Sequence, residues 1–161
     1  MTDQDTSAPF ECEIAARVRD VNLEGHADNV ELVRVLDEAR FRFLRFAPLV
    51  SADGVPFTGV MAAAPGHVTE LVAAHHVEYR AEVPLDPNRP YLVSLRVSRV
   101  GGSSLDVGLE LRLAPDADPC VLAETTVVLL DTTTGRPWAM DDDLRAVLSA
   151  YAGTPVPLRG R

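Results

Sequence analysis

From Val30 onward, Leu32, Val35, Leu36, Ala39, Phe43 and Phe46 recur at helical spacing, and no other feature restricts the fold of this chain so tightly. A helix with one apolar stripe must bury that stripe against another element. Asp28 precedes the stripe as an N-cap, with Glu31 three residues later in the capping-box position. Pro48 bars continuation at the other end. Arg34, Asp37, Glu38, Arg42 and Arg45 fall on the flanks and the opposite side, where Glu38 and Arg42 make an i,i+4 pair. One long helix is predicted between Asp28 and Pro48.

The rest of the chain supplies what could cover it. Phe10 to Arg19 alternates as a strand, with Phe10, Cys12, Ile14 and Ala16 on one face. Ser51 to Pro65 reads as a loop with room for a short helical turn. Strands are predicted at His67–Val83, Tyr91–Val100, Ser104–Leu113 and Val121–Asp131. Gly101-Gly102 marks a tight hairpin, and the proline clusters at 84–90 and 115–119 mark turns. Leu105, Val107, Leu109, Leu111 and Leu113 alternate with Asp106, Gly108, Glu110 and Arg112, the pattern of a half-buried antiparallel strand. A short terminal helix is predicted from Asp141 to Tyr151. The order gives an α+β domain over residues 10–151, a five- to six-stranded antiparallel sheet wrapped around one long central helix. Residues 1–9 and 152–161 read as tails.

Charge and composition exclude some functions. The net charge of −9 argues against nucleic acid as the main partner. No window approaches the ~18 apolar residues of a membrane span, and the start of the chain lacks the regions of a secretory signal. A cytoplasmic protein without a membrane partner is the expectation. Cys12 and Cys120 have no metal-type spacing and read as free thiols. His75 and His76, adjacent on a strand, point to opposite faces and cannot serve one metal.

Between the first strand and the long helix lies Asp20-Val21-Asn22-Leu23-Glu24-Gly25-His26-Ala27-Asp28-Asn29. It gathers carboxylates, amides and an imidazole around one glycine at the start of a helix, where outward N–H groups polarise carbonyls or hold anions. Asn22 suits a turn and also suits orienting a substrate. Gly25 supplies a backbone conformation other residues dislike. His26 reads equally as proton shuttle, substrate contact or turn brace. Asp28 reads as helix cap or as base, Glu24 as a solvated or catalytic carboxylate, and Glu38 as a partner of Arg34 or Arg42.

This turn resembles Asp-x-Asp-x-x-Gly-His-Val-Asn-Asn of the 4-hydroxybenzoyl-CoA thioesterase family. Leu36-Asp37-Glu38-Ala39-Arg40 is similar to that family's Glu-Glu-Ala-Arg, Val77-Glu78-Tyr79 to its second strand, and Arg99 to Ser104 to its hairpin. The resemblance implies the hotdog fold, a homodimer or dimer of dimers, and hydrolysis of an acyl-CoA or other acyl thioester between subunits, without metal or cofactor. It makes Asn22, His26, Asp28 and Glu24 the catalytic candidates, and Gly25, Asn29 and Glu38 the substrate-binding ones. Arg80, Arg89, Arg96 and Arg99 are the arginines it offers to CoA phosphates.

The family's second aspartate, its nucleophile or base, is replaced here by Asn22. An amide takes up no proton at neutral pH. Two readings follow. In one, Asp28 or Glu24 activates water while Asn22 orients the substrate. In the other, the protein binds acyl-CoA or acyl-carrier protein with attenuated hydrolysis or none. A third reading is a structural relative that dimerises without a ligand.

Overall fold

The computed structural model describes residues 8–51 and 53–160. The expected tail at 1–9 therefore falls largely outside the described residues. Strand β1 (Phe10–Ile14) gives way to a 3-10 turn at Val18–Asp20 and then to helix α1 (Asn29–Arg45). The expected loop at 51–65 lies within a small hairpin, β2 (Pro48–Val50) with β3 (Pro56–Thr58), and a second 3-10 turn at Val60–Ala63. Then come β4 (Val68–Tyr79), β5 (Tyr91–Val100), β6 (Ser104–Arg112), β7 (Val121–Asp131), the short β8 (Arg136–Pro137) and α2 (Asp142–Ser149).

The main sheet is antiparallel in the order β1-β5-β6-β7-β4, with β8 hooked onto β7. It wraps α1 as expected. Leu32, Val35, Leu36, Ala39, Phe43 and Leu44 of the helix are buried against Val93, Leu95, Val107, Leu109, Val127 and Leu129 of the sheet. Phe43 is fully buried and packs against the rings of Phe10 and Tyr151 at 5.4 and 5.2 Å.

Asp28 caps α1, its Oδ1 accepting the Val30 N–H at 2.8 Å. The cap falls on Val30 rather than Glu31, so the expected capping box does not form. Glu31 turns away to Arg34, and the Asp28 N–H instead donates to the Asp20 carbonyl. Along one flank of α1, Glu31, Arg34, Glu38 and Arg42 form a ladder of ion pairs. From it, Arg34 reaches buried Asp20 and Arg42 reaches the Glu13 carbonyl on β1. Two contacts pin the ends of the helix to β4: the Tyr79 hydroxyl donates to the Asn29 carbonyl, and Arg45 holds Glu70 in a two-pronged ion pair.

Residues 152–160 do not hang free as a tail. Val97 pairs with Ala152, and the Gly153 N–H donates to the Val97 carbonyl. The chain then crosses the convex face of the sheet as a strap. A Cβ on Gly108 would meet Val156 at 3.1 Å, so the glycine lets the strap lie close. Leu158 is buried, and the Arg80 guanidinium donates to the Pro157 carbonyl. This corrects the half-buried reading of β6. Asp106 and Gly108 on its outer face are buried because the strap covers that side.

Candidate functional site

The turn before α1 is a closed loop built by its own polar groups. Val21 and Ala27 form an antiparallel bridge, and the Asn22 N–H donates to the His26 carbonyl at 2.8 Å. The Asn22 side-chain oxygen accepts two backbone N–H groups, from Glu24 at 2.9 Å and from His26 at 3.1 Å. Only the amide's oxygen can accept both, which fixes its orientation and turns the NH2 group away from the loop. An aspartate here would accept the same two bonds and present a second acceptor where Asn22 presents a donor. Gly25 adopts φ +85°, in the left-handed region that disfavours side chains.

A second segment locks the loop in place. The Ala27 N–H donates to the Val83 carbonyl at 2.8 Å, and His26 bridges to Pro84. This pairing brings Tyr79 at the end of β4, and residues 80–83 after it, alongside the loop. The two segments enclose a groove of about 420 Å3, lined by Asn22, Glu24, His26, Asn29, Tyr79, Arg80 and Glu82, with Ala27, Leu32, Ala81 and Val83 as apolar surface. The His26 Nε2 lies 3.4 Å from a Glu82 carboxylate oxygen.

The candidates separate into two groups. Asn22, Glu24, His26 and Asn29 share the groove, and Gly25 shapes the loop that carries them. Asp28 lies outside the groove lining, with one carboxylate oxygen bound at the helix cap. Glu38 is away from the groove as well, paired with Arg34 and Arg42. Of the four candidate phosphate arginines, Arg80 alone lines the groove, and its guanidinium also pairs with Glu78 at 2.6 Å. Arg99 is bound to Asp106, Arg96 lies under the strap beside Gly153, and Arg89 pairs with Asp86 on an exposed loop.

Tyr79 and Val83 stand out in the sequence only as strand residues and Glu82 not at all, and none of the three is a site candidate there. Their place in the groove comes from long-range pairing with the loop, which no local pattern encodes. Ala81-Glu82-Val83 follows the strand too closely to stand apart from it.

A larger hollow of about 690 Å3 lies on the convex face, bordered by the strap and by Glu11, Arg96, Glu110 and Arg112. Of the candidate residues it holds Arg96 and none of those from the turn. Among the described residues no cluster of His, Cys, Asp and Glu side chains is arranged to hold a metal ion. Both cysteines are free, and burial pushes the Cys12 thiol up to about 11. No described helix is long and apolar enough to cross a membrane.

A family model described as the thioesterase-like superfamily matches residues 16–148. No curated protein sequence matches the chain. Solved structures do. The PA5185 protein of Pseudomonas aeruginosa is 24% identical, with 91% of this chain and 94% of that one covered and a TM-score of 0.72. A predicted thioesterase from Bacillus stearothermophilus is 21% identical over 92% of this chain and 100% of that one, with a TM-score of 0.71. A thioesterase from Thermus thermophilus, complexed with coenzyme A and zinc, is 20% identical over 95% and 100%, with a TM-score of 0.67. At these identities the structural likeness speaks to the fold.

Proposed function

The chain belongs to the thioesterase-like superfamily, and from that membership we propose that it hydrolyses an acyl-CoA thioester in the groove beside the Gly25–His26 loop. The observation that carries this reading is the orientation of Asn22. With its oxygen tied to two backbone N–H groups, the side chain offers an N–H donor at the groove. A thioester carbonyl is an acceptor, and a positioned donor that follows its charge into the transition state contributes about 3 kcal/mol in sites of this kind. The coenzyme A in the Thermus thermophilus relative is consistent with a CoA ester as the substrate.

The working unit we propose is a homodimer, or a dimer of dimers, with the site completed between subunits. The edge strand supports this. β4 runs for 12 residues at the border of the sheet and is exposed from Leu71 to His76, with Leu71 and Val72 among the exposed large apolar residues. A long bare edge with apolar side chains is a template for another strand, and the same edge of a second copy would satisfy it. The groove adjoins the end of this strand, so pairing there brings a neighbour close to it.

One observation favours the second reading, a protein that binds acyl-CoA or acyl-carrier protein with little turnover. Asn22 cannot act as a base, and its oxygen is occupied. Hydrolysis of a panel of acyl-CoAs, with binding followed by calorimetry, separates the two. Turnover by the wild-type chain supports the hydrolase. Binding without turnover, with hydrolysis gained in Asn22→Asp, supports the binding protein. Neither binding nor turnover overturns both.

A further inference from the structure

We propose that His26 is the general base of this site and that Glu82 positions it, so that a histidine–carboxylate pair performs the work the Asn22 amide cannot. The inference rests on the hydrolase reading and names the group that activates water within it.

Three observations lead here. The aligned acidic position holds an amide whose oxygen is already bound. Asp28 has one oxygen on the helix cap and lies outside the groove. His26 lies in the groove, 34% exposed at its side chain, with Nε2 3.4 Å from Glu82. The pair is held by backbone. The Ala27 N–H donates to the Val83 carbonyl and His26 bridges to Pro84, so the residues next to both side chains are joined. Catalytic hydrogen bonds are commonly long in ligand-free structures and tighten around substrate.

The chemistry balances with water as the only co-reactant. Glu82 accepts from Nε2–H, which leaves Nδ1 as the free base. Water oxygen attacks the thioester carbonyl carbon and gives one proton to Nδ1. The carbonyl electron pair moves to oxygen, where the Asn22 NH2 stabilises it. The C=O re-forms, the C–S bond breaks with its electron pair on sulfur, and the imidazolium returns its proton to the thiolate. The products are a carboxylic acid and a thiol.

The charged or titratable groups around the ring are Glu24 from the loop, Tyr79, Arg80 and Glu82 from the facing segment, and Asp28 at the helix cap next in the chain. Glu82 is the one paired with the ring. Its carboxylate orients the imidazole, so its loss should lower kcat with little change in KM.

The test is kcat and KM from pH 5 to 9 with acetyl-, hexanoyl-, palmitoyl- and benzoyl-CoA, for wild type, His26→Gln, Glu82→Gln and Glu82→Asp. Circular dichroism checks folding, and calorimetry with CoA checks binding. The Glu82 side chain is 79% exposed, so its variants are expected to fold. His26→Gln should lose at least about 100-fold in kcat, the usual contribution of a positioned base. Glu82→Gln should lose about tenfold in kcat with KM kept, while Glu82→Asp keeps most of the rate. Unchanged kcat in a folded His26→Gln, or in Glu82→Gln, overturns the pair and leaves the hydrolase standing. A wild type that binds CoA esters but hydrolyses none of the four overturns the hydrolase reading and the pair together.

Discussion

Asp20 is the residue whose loss should reveal how the loop is held. It is 1% exposed at the end of the first 3-10 turn, and its Oδ2 accepts both the Arg17 N–H at 3.0 Å and Arg34 Nη2 at 3.1 Å. In Asp20→Ala the partly buried Arg17 N–H loses its partner, at a cost of about 1–3 kcal/mol. Arg34 keeps Glu31 and Glu38 and is 26% exposed, so its share is no more than about 1 kcal/mol. Against this, Oδ1 of Asp20 is buried without a hydrogen-bond partner, and its removal returns roughly 1 kcal/mol. The net expectation is a loss of about 0–3 kcal/mol, read from urea unfolding followed by circular dichroism. A double-mutant cycle with Arg34→Ala should show coupling, because the two side chains share one contact. Strictly additive effects would refute the claim that this pair anchors the loop.

Other changes probe single features. Tyr91 is 2% exposed and its hydroxyl is buried without a partner, so Tyr91→Phe should leave stability unchanged or raise it by about 1 kcal/mol in a thermal melt. Gly59 adopts φ +70°, and a Cβ there would lie 2.4 Å from the Arg45 backbone carbon; Gly59→Ala should cost at least about 2 kcal/mol in urea unfolding. Asp28→Ala should cost about 1 kcal/mol through the lost cap. Asp28→Asn should keep both stability and hydrolysis; lost turnover in that folded variant would move the base from His26 to Asp28. Burial raises the Cys12 thiol from 9.0 to about 11. The folded state therefore holds a proton that the unfolded chain releases near pH 9, and the stability tied to it is full below that value and is lost as pH rises toward 11. Iodoacetamide labelling of the native protein at pH 8 should accordingly be slow at Cys12.

The elements were legible where a pattern is local. Tyr91–Val100 and Val121–Asp131 begin and end where alternation and turn residues place them, and α1 starts at its cap. The helix stripe and the apolar strand faces meet as expected because each has one face that water disfavours. The misses share a cause. Glu31 belongs to Arg34 rather than to the cap because the Asp20 carbonyl, eight residues before Asp28, had already taken the N–H a capping box needs. The outer face of β6 is buried by residues more than forty positions later. In the site, the loop residues were visible as a motif. Glu82 was not, since it joins His26 only through the pairing of two distant segments. Local chemistry can be read along a chain, but juxtaposition across a fold requires the fold.

The strap over the convex face also affects the order in which the protein matures. It is synthesised after every strand it covers, so the outer surface around Asp106 and Glu124 stays wet until the ribosome has released the final stretch. The inner layer around Phe43 also waits for Tyr151. A stop codon or a protease cut just before Ala152 would thus leave all five principal strands intact, yet strip the roof from two buried carboxylates at once.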